Sequence, residues 1–241
     1  MRYLFFSLLL CISSLSHAKP YIIGVENIDY LPYYQTDTDN HVHGHTIHIL
    51  SAFFKNVLDK NVVFKPLPVN RLYTDLMQGQ IDFKYPDNPK WNNPLKDQAK
   101  VLYSGPVAKY VDGIMVEISQ SGQDISNISH IATIRGFHPW ILQDRIQAEQ
   151  IKLVEVDDMN SLFKLLRSNR VGGVFINTIV ANRFLAEKGD NMFVFDKTLP
   201  FIEGAYHMST LNHPDVIEKL NHWLTTSPAV NTINEKWGIP D

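Results

Sequence analysis

The sequence lacks several features that mark redox, metal-thiolate and membrane-spanning proteins. Its only cysteine is Cys11, so neither a disulfide within the chain nor a cysteine-rich zinc site can form. After residue 12 no apolar run is long enough to cross a bilayer. With 22 basic against 25 acidic residues and a formal net charge of −3, the chain has no electrostatic basis for binding nucleic acid or anionic lipid.

Familiar catalytic motifs are missing as well. The sequence contains no Gly-x-Ser-x-Gly, no His-Glu-x-x-His and no phosphate-binding loop. These are the signatures of a common serine nucleophile, of zinc proteases and of nucleotide-binding enzymes. We therefore expect a protein that is not an enzyme and that needs no cofactor.

The N-terminus has the three parts of a secretory signal peptide. Arg2 supplies a positive start, residues 4–12 are almost wholly apolar, and Ser16-His17-Ala18 places small residues at positions −3 and −1 of a cleavage site. We expect cleavage after Ala18 and release of a soluble protein into the periplasm.

Strand and helix patterns alternate along the rest of the chain. Residues 21–25 have the composition of a buried strand. A unit of helix, tight turn and strand occurs at 70–81 and again at 160–171, with Gly79 and Asn169 as the turn residues. The alternation predicts an α/β fold with a largely parallel sheet, and the repeated unit predicts two lobes of similar build.

Three polar residues precede apolar runs of helical spacing and are the expected N-caps of their helices. They are Thr46, Asn70 and Asn160. Side-chain oxygens of such residues accept hydrogen bonds from the first free N–H groups of a helix.

Five short motifs, in this order along the chain, resemble those of the family 3 extracellular solute-binding proteins, which serve ABC importers. The resemblance covers nearly all of the chain after the predicted signal peptide. The motifs are Gly24-Val25 with Tyr30-Leu31-Pro32-Tyr33-Tyr34 and Gly44, Gly79-Gln80-Ile81-Asp82-Phe83, Tyr103-Ser104-Gly105-Pro106, residues 169–178 (NRVGGVFINT), and Glu235-Lys236-Trp237-Gly238.

The resemblance implies a two-lobed α/β fold of the type II periplasmic-binding-protein kind, with two crossing hinge strands. After a signal peptide at 1–18, lobe I would comprise residues 19–108 plus 206–241, and lobe II residues 109–205. The expected function is capture of a small polar, ring-bearing metabolite in the cleft between the lobes, with hinge closure around it. The expected partners are the membrane subunits of an ABC importer, and we expect a monomer.

The same resemblance places the ligand beyond the carboxyl ends of the strands, where loops from both lobes meet. Tyr30 is the expected stacking residue, and Arg71 is expected to hold an anionic group through its planar guanidinium. The full set of candidate ligand-binding residues is Asn27, Tyr30, Arg71, Tyr85, Asp87, Trp91, Arg135, His138 and Asn177.

Two departures from amino-acid-binding relatives affect the ligand class. Those relatives place an aspartate for the α-ammonium where this chain has Asn177, and an arginine for the α-carboxylate within the stretch that is 93–100 here. Lys96 and Lys100 are the available substitutes for the arginine. Because a neutral amide supplies no counter-charge to a buried ammonium, the sequence predicts no tight binding of ordinary α-amino acids.

Three alternatives stay open from the sequence. His41, His43, His45 and His48 have ligand types suited to zinc, nickel or copper, but no cysteine or clear carboxylate partner completes a set, so a solvated hairpin without metal is the prediction. A periplasmic sensor that signals to a membrane receptor would use the same cleft. An enzyme of the dehydratase type on this fold would use His138 or Asp87 as its base.

Overall fold

The computed structural model describes residues 19–91 and 93–239. The predicted signal peptide, residues 1–18, lies outside the described residues. None of the helices in the described part of the chain is both long and apolar enough to span a membrane.

Strands and helices alternate along the chain, and the predicted α/β class is confirmed. The strands are β1 Tyr21–Glu26, β2 Gln35–Thr36, β3 Val42–His43, β4 Val62–Leu67, β5 Phe83–Asp87, β6 Leu102–Tyr103, β7 Ala108–Glu117, β8 His130–Ile134, β9 Lys152–Val156, β10 Gly173–Asn177, β11 Phe193–Phe195 and β12 Ile202–Thr210. The helices are α1 His45–Asn56, α2 Val69–Met77, α3 Gln143–Gln147, α4 Met159–Arg167, α5 Thr178–Glu187, α6 Pro214–Thr226 and α7 Pro228–Trp237.

The long strands form one curled sheet in the order β4-β1-β5-β12-β7-β10-β8-β9. The three strands at one end, β4-β1-β5, are parallel and belong to the first lobe. The three at the other end, β10-β8-β9, are also parallel and belong to the second lobe. Each lobe is thus an α/β unit, as the repeated pattern of helix, turn and strand predicts.

Two antiparallel strands connect the lobes. In β7 and β12, Ala108 pairs with Tyr206 and Asp112 with Ile202, and this ladder is the pair of crossing strands that the resemblance implies. The lobe boundaries, 19–108 plus 206–241 against 109–205, stay a prediction. Because the crossing strands run between both lobes, side chains along them lie at the base of the interlobe cleft.

The core runs through both lobes as one large cluster of buried apolar side chains. Helix α1 shows how a lobe is built, since Ile47, Leu50, Phe53 and Phe54 are all almost fully buried. Complete burial of side chains of this size contributes roughly 1.5–3 kcal/mol each. The helical spacing in the sequence predicts these four residues and also Val57 and Leu58 on the apolar face. The prediction is wrong for Val57, which follows the last helical residue and is 40% exposed.

The turn predictions are confirmed, whereas the cap predictions are wrong. Gly79 and Asn169 have φ values of 66° and 53°, the left-handed conformation expected after a helix. Helix α2 has Pro68 at its N-cap position rather than Asn70. Helix α4 is capped by Asp158 rather than Asn160, and the Asp158 carboxylate accepts a hydrogen bond from the N–H of Ser161 at 2.8 Å.

Helix α1 is capped by backbone instead of by Thr46. The N–H of His45 donates to the carbonyl of Pro32 at 2.8 Å, and the N–H of Thr46 donates to that of Tyr33 at 3.1 Å. The Thr46 hydroxyl also donates to the Tyr33 carbonyl. The aromatic-proline loop after β1 therefore satisfies the free donors at the start of α1, which fixes that loop against the helix.

Replacement of Gly44 by alanine should destabilise the protein by about 3 kcal/mol. Gly44 has φ 134°, and an added Cβ would lie 2.5 Å from the carbonyl oxygen of Tyr33 and 2.7 Å from the Cα of Tyr34. These backbone atoms cannot move without breaking the cap of α1. Urea unfolding measures the effect, with Gly79→Ala as the matched control, because Gly79 also has a positive φ but nothing within 4 Å of an added Cβ. Equal losses in the two variants would contradict a role for the close approach.

Candidate functional site

A cavity of about 290 Å3 lies between the two lobes. It forms where the carboxyl ends of β1 and β8 and their loops face the crossing strands β7 and β12, the place where ligands bind in open α/β sheets. The residues that line it are Glu26, Tyr30, Tyr34, Val69, Asn70, Tyr73, Lys84, Trp91, Asn93, Pro94, Asp112, Gly136, Phe137, His138, Glu155, Phe175 and Tyr206.

Aromatic rings make up much of the cavity wall. The Tyr30 ring is stacked on that of Tyr34 with a centroid separation of 5.4 Å. From the second lobe, Phe137 meets Tyr30 edge to face at 5.5 Å. Tyr206 on the crossing strand β12 lies 6.1 Å from the Trp91 ring. The wall is therefore suited to flat or apolar ligand surfaces and to the attraction of positive charge by ring faces.

Asp87 is the centre of a buried charge network below the cavity. Its carboxylate accepts hydrogen bonds from the hydroxyl groups of Tyr73 and Ser209. Two ammonium groups lie close to it, that of Lys84 at 3.4 Å and that of Lys96 at 3.5 Å. A fully buried carboxylate is stable here because two cations and two hydroxyl donors compensate it.

Lys84 belongs to this network and also lines the cavity, so its ammonium places a positive charge at the cavity wall. Its side chain is 1% exposed, and its ammonium lies 4.6 Å from the Tyr73 ring centroid and 5.3 Å from the Trp91 ring. Lys96 is less deeply buried, at 12% exposed, and its ammonium donates to the carbonyl groups of Asn88 at 2.6 Å and Trp91 at 2.8 Å. Lys96 is therefore engaged in holding the loop after β5.

Glu26 ends strand β1 and faces the cavity. Burial raises the pKa of its carboxyl to about 7, while the nearby Lys84 ammonium and the hydrogen bond donated by the Tyr34 hydroxyl act in the opposite direction. At neutral pH the protonated and ionised forms are both populated, so the charge at this wall depends on what occupies the cavity.

Asp112 lies on the crossing strand β7, opposite Asn177 in the β7–β10 ladder. Burial raises the pKa of the Asp112 carboxyl to about 7, an interaction with Asn177 lowers it, and the Glu26 carboxyl raises it. Its Oδ1 atom is shielded from solvent and has no hydrogen-bond partner among the described residues. Asp112 is thus a cavity acid with an amide beside it but with no cation beside it among the described residues.

Three of the residues predicted from the sequence meet at the cavity: Tyr30, Trp91 and His138. The roles of these residues in binding stay predictions. Asp87 and Tyr85 are fully buried behind the wall. The Tyr85 ring packs edge to face on Tyr34 at 6.3 Å, so it supports the loop that carries the lining tyrosines.

Asn177 is buried and serves as the N-cap of α5. Its side-chain oxygen accepts hydrogen bonds from the N–H groups of Ile179 at 2.9 Å and Val180 at 3.1 Å. Its amide nitrogen donates to the Tyr206 hydroxyl at 3.2 Å. Its amide is therefore used to hold α5 and Tyr206, and it lies outside the set of cavity-lining residues.

The remaining candidates lie at the protein surface. The Arg71 side chain is 66% exposed and pairs with Asp75 at 3.1 Å. The Arg135 side chain is 53% exposed and pairs with Asp157 at 2.7 Å. Asn27 is exposed and lines two grooves beside the cavity. None of these three is among the residues that line the cavity.

Among the charged or polar cavity residues that sequence reasoning did not identify are Glu26, Lys84, Asp112 and Tyr206. Glu26 follows a buried strand directly, which is a signal for a residue at a carboxyl-end cleft. Lys84 is a charge inside the otherwise buried strand β5, whose five residues are all buried. Both signals were available, since a charge is buried only when it is paired or functional.

The four clustered histidines do not share one environment. His41 and His43 are exposed at the hairpin of β2 and β3, which confirms the predicted solvated hairpin. His45 is buried, and its Nε2 lies 2.8 Å from the side-chain oxygen of Asn234. The structure corrects one detail, because Asp37 and Asp39 lie beside His41 with potential ligand atoms within 4.8 Å of one another. An exposed trio of this kind is common without a metal ion.

Comparison with known proteins identifies the architecture. Neither a protein-family model nor a curated protein sequence matches the chain. Among solved structures, an ancestral arginine-binding protein bound to arginine superimposes with a TM-score of 0.74 at 18% identity, over 92% of this chain and 99% of that one. A Salmonella typhimurium periplasmic binding protein of high arginine specificity gives 0.71 at 19%, over 91% and 99%. The chain has the type II periplasmic-binding fold.

A third structure with this fold is an ancestral amino-acid-binding protein described as a precursor of cyclohexadienyl dehydratase. It gives a TM-score of 0.69 at 18% identity and covers 90% of this chain and 95% of that one. The type II periplasmic-binding fold therefore accommodates binding proteins and the ancestor of an enzyme, and function has to be argued from the cavity.

Proposed function

We propose that this protein is an exported solute-binding protein that captures a small polar, ring-bearing metabolite in the interlobe cavity for an ABC-type importer. The observation that carries the proposal is the cavity itself, because its wall is built from both lobes and from the crossing strands. A solute there contacts both lobes at once, and contact with both lobes favours the closed arrangement over an open one.

Contacts between the two lobes across the mouth of the cleft support the proposal that the lobes close around a solute. Phe137 of the second lobe packs against Tyr30 of the first. The ammonium of Lys90 lies 5.4 Å from the centroid of the Trp140 ring. A hinge made of two antiparallel strands allows such contacts to form around a solute and to separate on its release.

Export, location and partners follow from the same proposal. The solved structures with this fold include an arginine-specific periplasmic binding protein and the substrate-binding protein of an amino acid ABC transporter. Together with the signal-peptide pattern, they support a periplasmic location and delivery of the solute to importer membrane subunits by a monomer. The sensing alternative uses the same cavity and differs in its membrane partner.

A thermal-shift screen of the purified protein against small metabolites tests the proposal. A solute at a hundredfold excess over its Kd stabilises the folded form by about 2.7 kcal/mol, which raises the melting temperature by about 5–10 °C for a protein of this size. Trp91→Ala, which removes a ring from the wall, should lower the affinity at least tenfold. Phe201→Ala is the matched control, because Phe201 is 38% exposed and lines a different groove instead of this cavity. Absence of any stabilising solute, or equal affinity in Trp91→Ala, would contradict the proposal.

One observation favours a second candidate, an enzyme of the dehydratase type. Glu26 and Asp112 both line the cavity, and burial raises the pKa of each carboxyl to about 7. Carboxyl groups with a pKa near neutrality are suited to general acid–base catalysis. Mass spectrometry of each stabilising solute after incubation separates the candidates, since a binding protein returns the solute unchanged.

A further inference from the structure

The acids around the cavity differ in how their charge is compensated. Asp87 has two ammonium groups within 3.5 Å. Glu26 accepts a hydrogen bond from Tyr34, and the Lys84 ammonium stabilises its ionised form. Asp112 has no ion pair within 4 Å among the residues that the structure describes. The Asn177 amide stabilises its ionised form, but no cation among the described residues does so, in contrast to Glu26 and Asp87.

The sheet fixes Asp112 at the wall of the cavity. Its backbone is fixed on both sides, by pairing with Asn177 in β10 and with Ile202 in β12. Its Oδ1 atom is out of contact with solvent and accepts no hydrogen bond within the described part of the molecule. A carboxylate oxygen that is shielded in this way is costly unless a donor or a cation reaches it.

Aromatic rings surround the same space. Tyr30 and Tyr206 are each 2% exposed and line the cavity together with Asp112. Phe137 closes against Tyr30 from the second lobe. Ring faces carry negative electrostatic potential and attract a desolvated cation, most strongly when several rings lie within about 6 Å of it. The acid and the rings therefore favour the same kind of ligand group.

We infer that the captured solute carries a cationic group, an ammonium or quaternary ammonium, that binds against Asp112 between the rings of Tyr30 and Tyr206. This inference rests on the proposed solute-binding function and names the charge of the solute. Asp112 would be the residue that determines specificity for a cation over a neutral molecule of equal shape.

Asp112 supplies the negative charge that the amide of Asn177 lacks. The sequence shows an amide where amino-acid-binding relatives have an aspartate, which predicts a site without a counter-charge for an ammonium. In the folded chain Asp112 lies directly across the ladder from Asn177, on the strand next to it. A carboxylate is therefore present at this end of the cavity, although it comes from a different strand.

A competing explanation is that Asp112 binds a neutral hydroxyl while it is protonated. Proton release distinguishes the two explanations, because a cation stabilises the ionised carboxylate and displaces its proton, whereas a neutral hydroxyl does not.

The groups that face Asp112 are the Glu26 carboxyl, the Asn177 amide and the hydroxyls of four tyrosines. These tyrosines are Tyr30, Tyr33, Tyr110 and Tyr206. Burial raises the pKa of each of these hydroxyls. Within this group, the carboxyls of Glu26 and Asp112 are therefore the ones with a pKa near 7.

The experiment uses pairs of probes that differ in charge and hardly in shape. The pairs are tyramine with tyrosol, choline with 3,3-dimethylbutan-1-ol, and putrescine with butane-1,4-diol. Calorimetry of the wild type at pH 7, in two buffers of different ionisation enthalpy, measures affinity and proton release together. We expect at least one cation to bind tenfold or more tightly than its neutral partner, with release of protons.

The Asp112→Asn variant completes the test. Asparagine keeps the shape and removes the charge, so the variant should fold and lose the tenfold preference for the cation. Asp97→Asn, an exposed carboxylate in the loop before β6, should keep it. Neutral partners that bind as tightly as the cations, or a preference that survives in Asp112→Asn, would overturn the inference and leave the solute-binding function intact. A screen in which no solute of any charge binds would overturn both.

Discussion

Asp87→Ala should destabilise the protein by about 3–5 kcal/mol, because it leaves two ammonium groups in the interior without their counter-ion. The Asp87 side chain is fully buried, and Lys84 beside it is 1% exposed. Lys96, which is 12% exposed, loses its ion pair as well. The hydroxyl groups of Tyr73 and Ser209 lose their acceptor at the same time. Equilibrium unfolding in urea measures the loss.

The matched control removes a carboxylate of the same type from the surface. Asp97 lies in the exposed turn next to Lys96, so Asp97→Ala should leave the free energy of unfolding unchanged. A loss of less than 1 kcal/mol in Asp87→Ala would mean that the two lysines turn out to solvent or deprotonate at little cost. In that case the charge of Lys84 would not be fixed at the cavity wall by Asp87.

Asp112→Asn should stabilise the ligand-free protein at pH 8 by about 2–4 kcal/mol and have little effect at pH 4. Burial raises the pKa of the Asp112 carboxyl from 3.8 to about 7, so the folded state binds a proton more tightly than the unfolded state. The corresponding stability is fully present below the unfolded pKa and is lost as the pH rises through about 7. Above that pH the wild type carries the cost of a buried charge that the variant lacks.

Urea unfolding at pH 4, 6 and 8 gives the difference between the two proteins across this range. Glu26→Gln should show the same sign with a smaller magnitude, because the pKa of the Glu26 carboxyl rises from 4.5 to about 7. Asp97→Asn again serves as the control on an exposed side chain. A difference between Asp112→Asn and the wild type that does not grow with pH would show that Asp112 is hydrated or paired in solution. It would also remove the support that burial lends to the cation inference.

The candidate site was only partly predictable from the sequence. Tyr30, Trp91 and His138 were expected in the cleft from the resemblance of their loops, and all three line the cavity. Arg71 was expected there because it opens α2, but its guanidinium extends to Asp75 at 3.1 Å one turn along the helix. The position of a residue at the start of a helix does not determine which way a long side chain turns.

The sequence by itself determined much of the local structure of this protein, although not which residues cap the helices. The spacing of Ile47, Leu50, Phe53 and Phe54 set the buried face of α1, and the left-handed turns at Gly79 and Asn169 set the ends of two helices. Periodicity and turn chemistry are properties of neighbouring residues, so they can be read along the chain. For the same reason, the alternation of strands and helices predicted the α/β class, and the repeated unit of helix, turn and strand predicted the two lobes.

Only the tertiary structure decided which charges meet at the cavity. Asp112 faces Asn177 because β7 pairs with β10, and it shares the wall with Glu26 because the crossing strands bring the two lobes together. These residues are separated by 65 or more positions along the chain. Burial, and with it the protonation of both acids near neutral pH, arises from those distant pairings rather than from any local pattern, since the dielectric around a carboxyl depends on everything packed against it.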